Sequence, residues 1–108
     1  MNMVDTSETE ILHSICDYLE RKKHYFWRNN TIPVYSVKNK AYIRMPKYSR
    51  TGLPDIILIK DGFIVGLEVK KEKGKQTPNQ KIVEKEWKEA GGEYYVVKSI
   101  DDVKVIGL

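Results

Sequence analysis

Asp55, Glu68 and Lys70 are the residues of this chain whose types and spacing can do chemistry. Asp55 leads into the apolar run Ile56-Ile57-Leu58-Ile59, and Glu68 and Lys70 end the run from Phe63 to Lys70, so both runs read as strands. Asp61-Gly62 lies between them, and Asp-Gly flanked by apolar runs is the strongest short hairpin signal. With Asp61-Gly62 as a two-residue loop, Lys60 pairs with Phe63, and the same register makes Asp55 and Glu68 direct cross-strand neighbours, about 5 Å apart at Cβ. Side chains alternate along a strand, so Glu68 and Lys70 share a face and Val69 points to the other. Two carboxylates and an ammonium group converge on one spot.

Adjacent carboxylates repel, and neither ionises freely without a counter-charge. A hard divalent cation resolves the repulsion, and Mg²⁺ typically takes one or two carboxylates together with water and substrate phosphate oxygens. Lys70 beside such an ion would position or deprotonate a water and offset charge on a phosphoryl group. The chemistry implied is metal-assisted hydrolysis of a phosphodiester. The same residues also fit a solvated hairpin face with a Glu–Lys pair along a strand, because Asp…Glu-x-Lys is a common pattern. Against that stands the depletion of all three residue types in strands, where here they hold the polar positions of an otherwise apolar hairpin.

The elements that must position this group follow from periodicity and punctuation. Ser7 to about Lys23 reads as a helix whose apolar stripe is Ile11, Ile15 and Leu19, flanked by Leu12 and Cys16. Ser7-x-x-Glu10 fits a capping box, which gives Glu10 a structural role. Glu8 lies at the inward edge of the stripe; it can reach a metal site, or it can favour the helix N-terminus through the dipole. Tyr25 to Arg28 reads as a strand and Asn29-Asn30 as a turn. Val34–Val37 and Ala41–Met45 read as a basic hairpin around Asn39-Lys40, either an arm over a groove or an extended edge, and residues 46–51 as a loop. Strands 55–60 and 63–70 follow, then a charged loop from Lys71 to Gln76. Thr77-Pro78 opens a second helix with an N-cap and a Pro at its first position, Thr77-x-x-Gln80 is a possible capping box, Val83, Trp87 and Ala90 form its stripe, and Gly91-Gly92 ends it. Glu93–Val97 reads as a strand, Ser99 as the cap of a short helical turn through Val103, and Val105-Ile106 as a strand end. The order helix, strands, helix, strand predicts an α/β fold with a mixed sheet.

Composition narrows the class. A chain of 108 residues with 41% hydrophobic and 31% charged residues predicts one soluble globular domain over 1–108. No apolar run approaches eighteen residues, so no membrane span is expected, and the acidic start without an apolar core argues against a signal peptide. The lone Cys16 excludes an internal disulfide, fits a cytoplasmic location and is expected in the core. With only His13 and His24 besides, no zinc-finger or His-rich metal site is available, and both histidines are expected to be solvated helix residues. Net charge is +4 and the pI about 9.1. Between Glu20 and Asp55 there is no acidic residue, whereas Arg21, Lys22, Lys23, Arg28, Lys38, Lys40, Arg44, Lys47 and Arg50 are basic, interleaved with Tyr25, Phe26, Trp27, Tyr35, Tyr42 and Tyr48. This is the footprint expected for contact with a phosphate backbone, or else a soluble basic surface.

Gly52-x-Pro54-Asp55, Glu68-Val69-Lys70, Thr77-Pro78-x-Gln80 and Ala90-Gly91-Gly92, taken in this order, resemble the PD-(D/E)xK nuclease superfamily and, more narrowly, the VRR-NUC (virus-type replication-repair nuclease) domain. Ser7-Glu8-Thr9-Glu10-Ile11 and Trp27-Arg28-Asn29-Asn30 are similar to its stand-alone phage and bacterial members, so the resemblance spans nearly the whole chain. It implies a restriction-endonuclease-like core with a mixed sheet flanked by helices, and a DNA endonuclease using Mg²⁺ or Mn²⁺. By position it implies Asp55, Glu68 and the main-chain carbonyl of Val69 as metal ligands and Lys70 as the catalytic lysine. Glu8 matches the acid contributed by the first helix, with Glu10 the alternative, and Gln80 matches a glutamine that supports the site from the following helix, where it would cap and support at once. The stand-alone type further implies a homodimer that resolves branched DNA of the Holliday-junction kind, in the host cytoplasm if phage-encoded. The basic hairpin, with Arg28, Lys38, Lys40, Arg44, Lys47 and Arg50 as the expected DNA contacts, is longer than the family's minimal pattern, which leaves junction preference open. Two other readings remain: a non-catalytic DNA-binding module on the same basic face, and a restriction-type enzyme that reads bases in duplex DNA.

Overall fold

In a computed structural model, residues 6–29, 35–36, 41–42 and 47–108 are described. The hairpin at the centre of the sequence argument forms as expected. Strand β4 (Ile56–Lys60) pairs antiparallel with β5 (Phe63–Val69) in the register Lys60↔Phe63 through Ile56↔Leu67. The loop between them has positive φ at both central residues, 52° at Asp61 and 83° at Gly62, which is the primed-turn geometry that matches strand twist. Strand β1 (Tyr25–Arg28) adds to the free edge of β4, antiparallel, with Trp27↔Ile57 and Arg28↔Ile56. On the other side β6 (Glu93–Val97) joins β5 in parallel, with Gly66↔Tyr94 and Glu68↔Val96. The result is a mixed four-stranded sheet in the order β1-β4-β5-β6. Two short strands, β2 (Tyr35–Ser36) and β3 (Ala41–Tyr42), make a separate antiparallel pair where the basic hairpin was expected.

Three helices flank the sheet. Helix α1 (Glu8–Arg21) starts on Ser7, whose Oγ accepts the Glu10 N–H at 3.2 Å. Its stripe of Ile11, Leu12, Ile15 and Leu19 is buried against Ile56, Leu58, Val65, Leu67 and Val69 of the sheet. Each fully buried side chain of this kind contributes about 1.5–3 kcal/mol. Cys16 is half-buried at the edge of the same cluster, and burial raises its thiol pKa. Helix α2 (Pro78–Glu89) lies on the opposite face, over β6. Helix α3 (Ile100–Ile106) packs beside α1 and closes the core with Val103.

Three expectations need correction. Val105 and Ile106 belong to α3 rather than to a returning strand, because the Ser99 cap starts a helix that runs until Gly107 adopts φ 101°. Ala90 is exposed at the end of α2, whose stripe reduces to the half-buried Val83 and Trp87. His24 lies beyond α1, half-buried, with Nε2 donating to the main-chain oxygen of Leu108 at 3.2 Å; His13 is solvated as expected. No helix among the described residues is long and apolar enough to cross a membrane.

Candidate active site

Asp55 sits one residue before β4, where the chain arrives from Gly52 with φ 76°. Pro54 is fully buried against β5, and a glycine opposite makes that possible: a Cβ on Gly66 would lie 2.5 Å from Pro54 Cγ. The end of β1 fixes the same turn, with the Asn29 N–H donating to the Asp55 carbonyl at 2.8 Å and Asn29 Nδ2 donating to the Pro54 carbonyl at 3.4 Å. Asp55 Oδ2 accepts the Val69 N–H at 2.8 Å, so a side-chain carboxylate takes over the ladder where the β4 backbone has ended. Within a strand residue the N–H and C=O point to the same side, so the Val69 carbonyl is directed toward Asp55 as well.

Glu68 lies on the opposite sheet face from the α1 core and is only 2% exposed. Its Oε1 accepts from Gln80 Nε2 at 3.1 Å and its Oε2 from the Tyr94 hydroxyl at 3.3 Å. Burial, and then the Asp55 carboxyl against it, push the Glu68 pKa up to about 8, while Lys70 and the Tyr94 hydroxyl pull it back in part. Lys70 is buried two residues on, its N–H donating to the Val97 carbonyl at 3.0 Å. The three groups that the hairpin register predicts together are therefore together.

Gln80 makes two contacts at once. Its Oε1 accepts the Thr77 N–H at 2.9 Å, completing the capping box of α2, while its Nε2 holds Glu68. A Cβ on Gly74 would lie 3.3 Å from Glu8 Oε1 and 3.3 Å from Lys70 Cβ, so these side chains flank one glycine. Among the described residues no group of three His, Cys, Asp or Glu side chains could hold a metal. The donor set at hand is two carboxylates, Asp55 and Glu68, and a main-chain oxygen, which is the oxygen-only, carboxylate-poor set that suits Mg²⁺ or Mn²⁺ completed by water.

Sequence reasoning missed Tyr94. It packs edge to face on Trp87, with ring centroids 6.4 Å apart, and its hydroxyl also meets Gln76 Nε2 at 3.5 Å. Gln76 in turn donates to Glu84 at 3.0 Å, and Lys88 to Glu84 at 2.7 Å, so a polar chain runs from the surface of α2 to Glu68. Burial and the Glu68 charge raise the Tyr94 pKa and keep the hydroxyl a donor. No local sequence signal marks it; the parallel register Gly66↔Tyr94 places it on the Glu68 face, one row along.

The expected DNA contacts among the described residues scatter. Lys47 and Arg50 are exposed in the loop before Gly52; Lys47 lies over the Tyr48 ring, and Arg50 is 3.9 Å from Glu86. Arg28 is exposed but pairs with Ile56, which places it on the α1 face and not with the carboxylates. Lys38, Lys40 and Arg44 lie outside the described residues.

No family model and no curated protein matches the sequence. Solved structures do match in fold. One, titled "VRR_NUC domain", superposes with a TM-score of 0.65 at 18% identity over 94% of this chain and 95% of its own. Another, "VRR_NUC domain protein", gives 0.70 at 20% identity over 95% of this chain and 86% of its own. The chain has the α/β fold of VRR_NUC domain structures, a mixed four-stranded sheet flanked by three helices.

Proposed function

We propose that this chain is a VRR-NUC family nuclease, a Mg²⁺- or Mn²⁺-dependent DNA endonuclease that hydrolyses phosphodiester bonds in branched DNA. The observation that carries the reading is Glu68: a carboxyl buried against a second carboxyl and beside Lys70, held by two side-chain donors and with its pKa driven far up. Such an arrangement costs stability and supports reading the place as a functional site. Asp55, Glu68 and the Val69 carbonyl would hold the ion, with Asp55 kept in place by the Val69 N–H and Glu68 by Gln80 and Tyr94. The bound ion would supply Lewis acidity toward a phosphoryl oxygen and toward water. Lys70 would orient the attacking water and offset charge on the phosphoryl group, and Glu8 would shape the same pocket from α1. In-line attack would leave a 5′-phosphate and a 3′-hydroxyl. Junction preference and homodimerisation rest on the resemblance to stand-alone members, in which two sites cut two strands symmetrically.

The test is cleavage of a four-way junction, a splayed fork, linear duplex and single strand with Mg²⁺, Mn²⁺ or EDTA, beside Asp55→Asn. The expected result is metal-dependent cutting that the variant loses while still binding DNA, since asparagine keeps an acceptor for the Val69 N–H and removes one negative charge. Cutting by Asp55→Asn, or tight binding without cutting by the wild type under every condition, would sink the catalytic reading.

A further inference from the structure

The sheet face that carries Asp55 and Glu68 is covered by α2 only toward β6. The register arranges this face in rows. Asp55 and Glu68 occupy the first; Trp27, Ile57, Gly66 and Tyr94 the second; Tyr25, Ile59 and Ile64 the third. Neighbouring rows are about 6.6 Å apart, two residues of strand. At the β1 edge the second and third rows end in exposed aromatic rings, Trp27 at 42% and Tyr25 at 73%. The two rings meet edge to face, 6.4 Å apart at 82°, so the contact covers one face of one ring and leaves the other ring faces clear of the pair. Ile59 and Ile64 extend the apolar floor beside them and are partly exposed too.

We propose that Tyr25 and Trp27 form a stacking platform for unpaired bases of the DNA strand whose phosphate lies at the Asp55–Glu68–Lys70 site. This rests on the nuclease reading and names the substrate feature it selects. The rings lie on the same face as the carboxylates and one and two rows away, so a strand leaving the site along the sheet runs over them. Stacking needs only the π-face of a base and tolerates any sequence, which suits an enzyme that reads structure. A base inside a duplex is already stacked on its neighbours, so only splayed or single-stranded arms gain. A second copy of the chain is the other occupant to weigh. The uncovered side chains offer on the order of 400 Å², half of the about 800 Å² per partner that a stable dimer buries.

The experiment measures binding by fluorescence anisotropy in EDTA, in the Asp55→Asn background, to a splayed fork, a single strand and a blunt duplex. Trp27→Ala and Tyr25→Ala are each expected to weaken fork and single-strand binding by about tenfold and to leave duplex affinity unchanged. Trp27→Phe, which keeps a ring, is expected to retain most of the affinity. Equal weakening on all three DNAs, or no weakening on any, overturns the platform. So does a wild-type dimer that falls to monomer in Trp27→Ala with fork binding intact, because the face would then belong to a second copy. The two readings fail separately: a wild type that never cuts but shows ring-dependent fork binding loses the nuclease and keeps the platform, and an active wild type with normal fork binding by Trp27→Ala loses only the platform.

Discussion

Replacing Glu68 with glutamine removes one titration from the site while keeping its shape. The glutamine carbonyl can accept from Gln80, and its amide can donate to the Tyr94 hydroxyl. In the metal-free wild type the Glu68 carboxyl is raised from the ordinary 4.5 to about 8. Between those values the folded chain holds a proton that the unfolded chain has released, so stability falls as pH rises across that window. The contribution is fully present below about pH 4.5 and gone above about pH 8. Each pH unit between the two values is worth at most about 1.36 kcal/mol, so the ceiling is about 4–5 kcal/mol. Even a third of that, about 1.5 kcal/mol, moves Tm by about 6–12 °C in a domain of this size. Thermal melts in EDTA at pH 5.5, 7 and 8.5 read it as the difference between wild type and Glu68→Gln, in which the titrations of groups distant from Glu68 cancel. The variant should gain on the wild type steadily with pH. Adding Mg²⁺ at pH 8.5 should then stabilise the wild type more than the variant, because an ion held as proposed would bind only the folded pair of carboxylates. Parallel curves for the two proteins across the whole range would refute the buried, proton-holding Glu68.

Tyr94→Phe deletes one donor to Glu68 and should cost about tenfold in metal affinity; because that donor favours the charged carboxylate, its loss should also move the pH–rate limb to higher pH, and an unmoved limb would reduce Tyr94 to packing. Glu8→Gln should lower cleavage more than Glu10→Gln, since Glu8 flanks Gly74 with Lys70; the reverse ranking in a nicking assay would give the role to Glu10. Gly66→Ala should destabilise by about 1–3 kcal/mol in a urea melt and also reduce cleavage, because Pro54 must retreat and Asp55 moves with it; a stable, active variant would show that this contact does not set the carboxylate spacing.

Much of the site was legible because its geometry is local. Asp61-Gly62 imposes a tight turn, the turn imposes the register, and the register brings Asp55 to Glu68 with no knowledge of the rest of the chain. Gln80 was legible as a cap because Thr77 and Pro78 mark the helix start. What escaped was long-range. Tyr94 reaches Glu68 through a parallel pairing set by the length of α2 and its loops, which no local pattern encodes. Arg28 reads as one more basic residue, yet its alternation relative to Trp27 sends it to the α1 face. Val105 and Ile106 have the side chains of a strand, but the caps on either side of them decided for a helix.

The double engagement of Gln80 links assembly of the fold to the geometry of the site. One oxygen of its amide closes the first turn of α2 and the nitrogen of the same amide holds a carboxylate of the site, so neither bond is in place until residues 77–80 have wound into a helix beside the sheet. A chain still emerging from synthesis, with the hairpin formed but α2 unwound, has both acids and the lysine yet lacks the brace that aims one of them. On the proposed nuclease reading, the helix start would thus act as an interlock, leaving the centre without its brace in partly folded molecules.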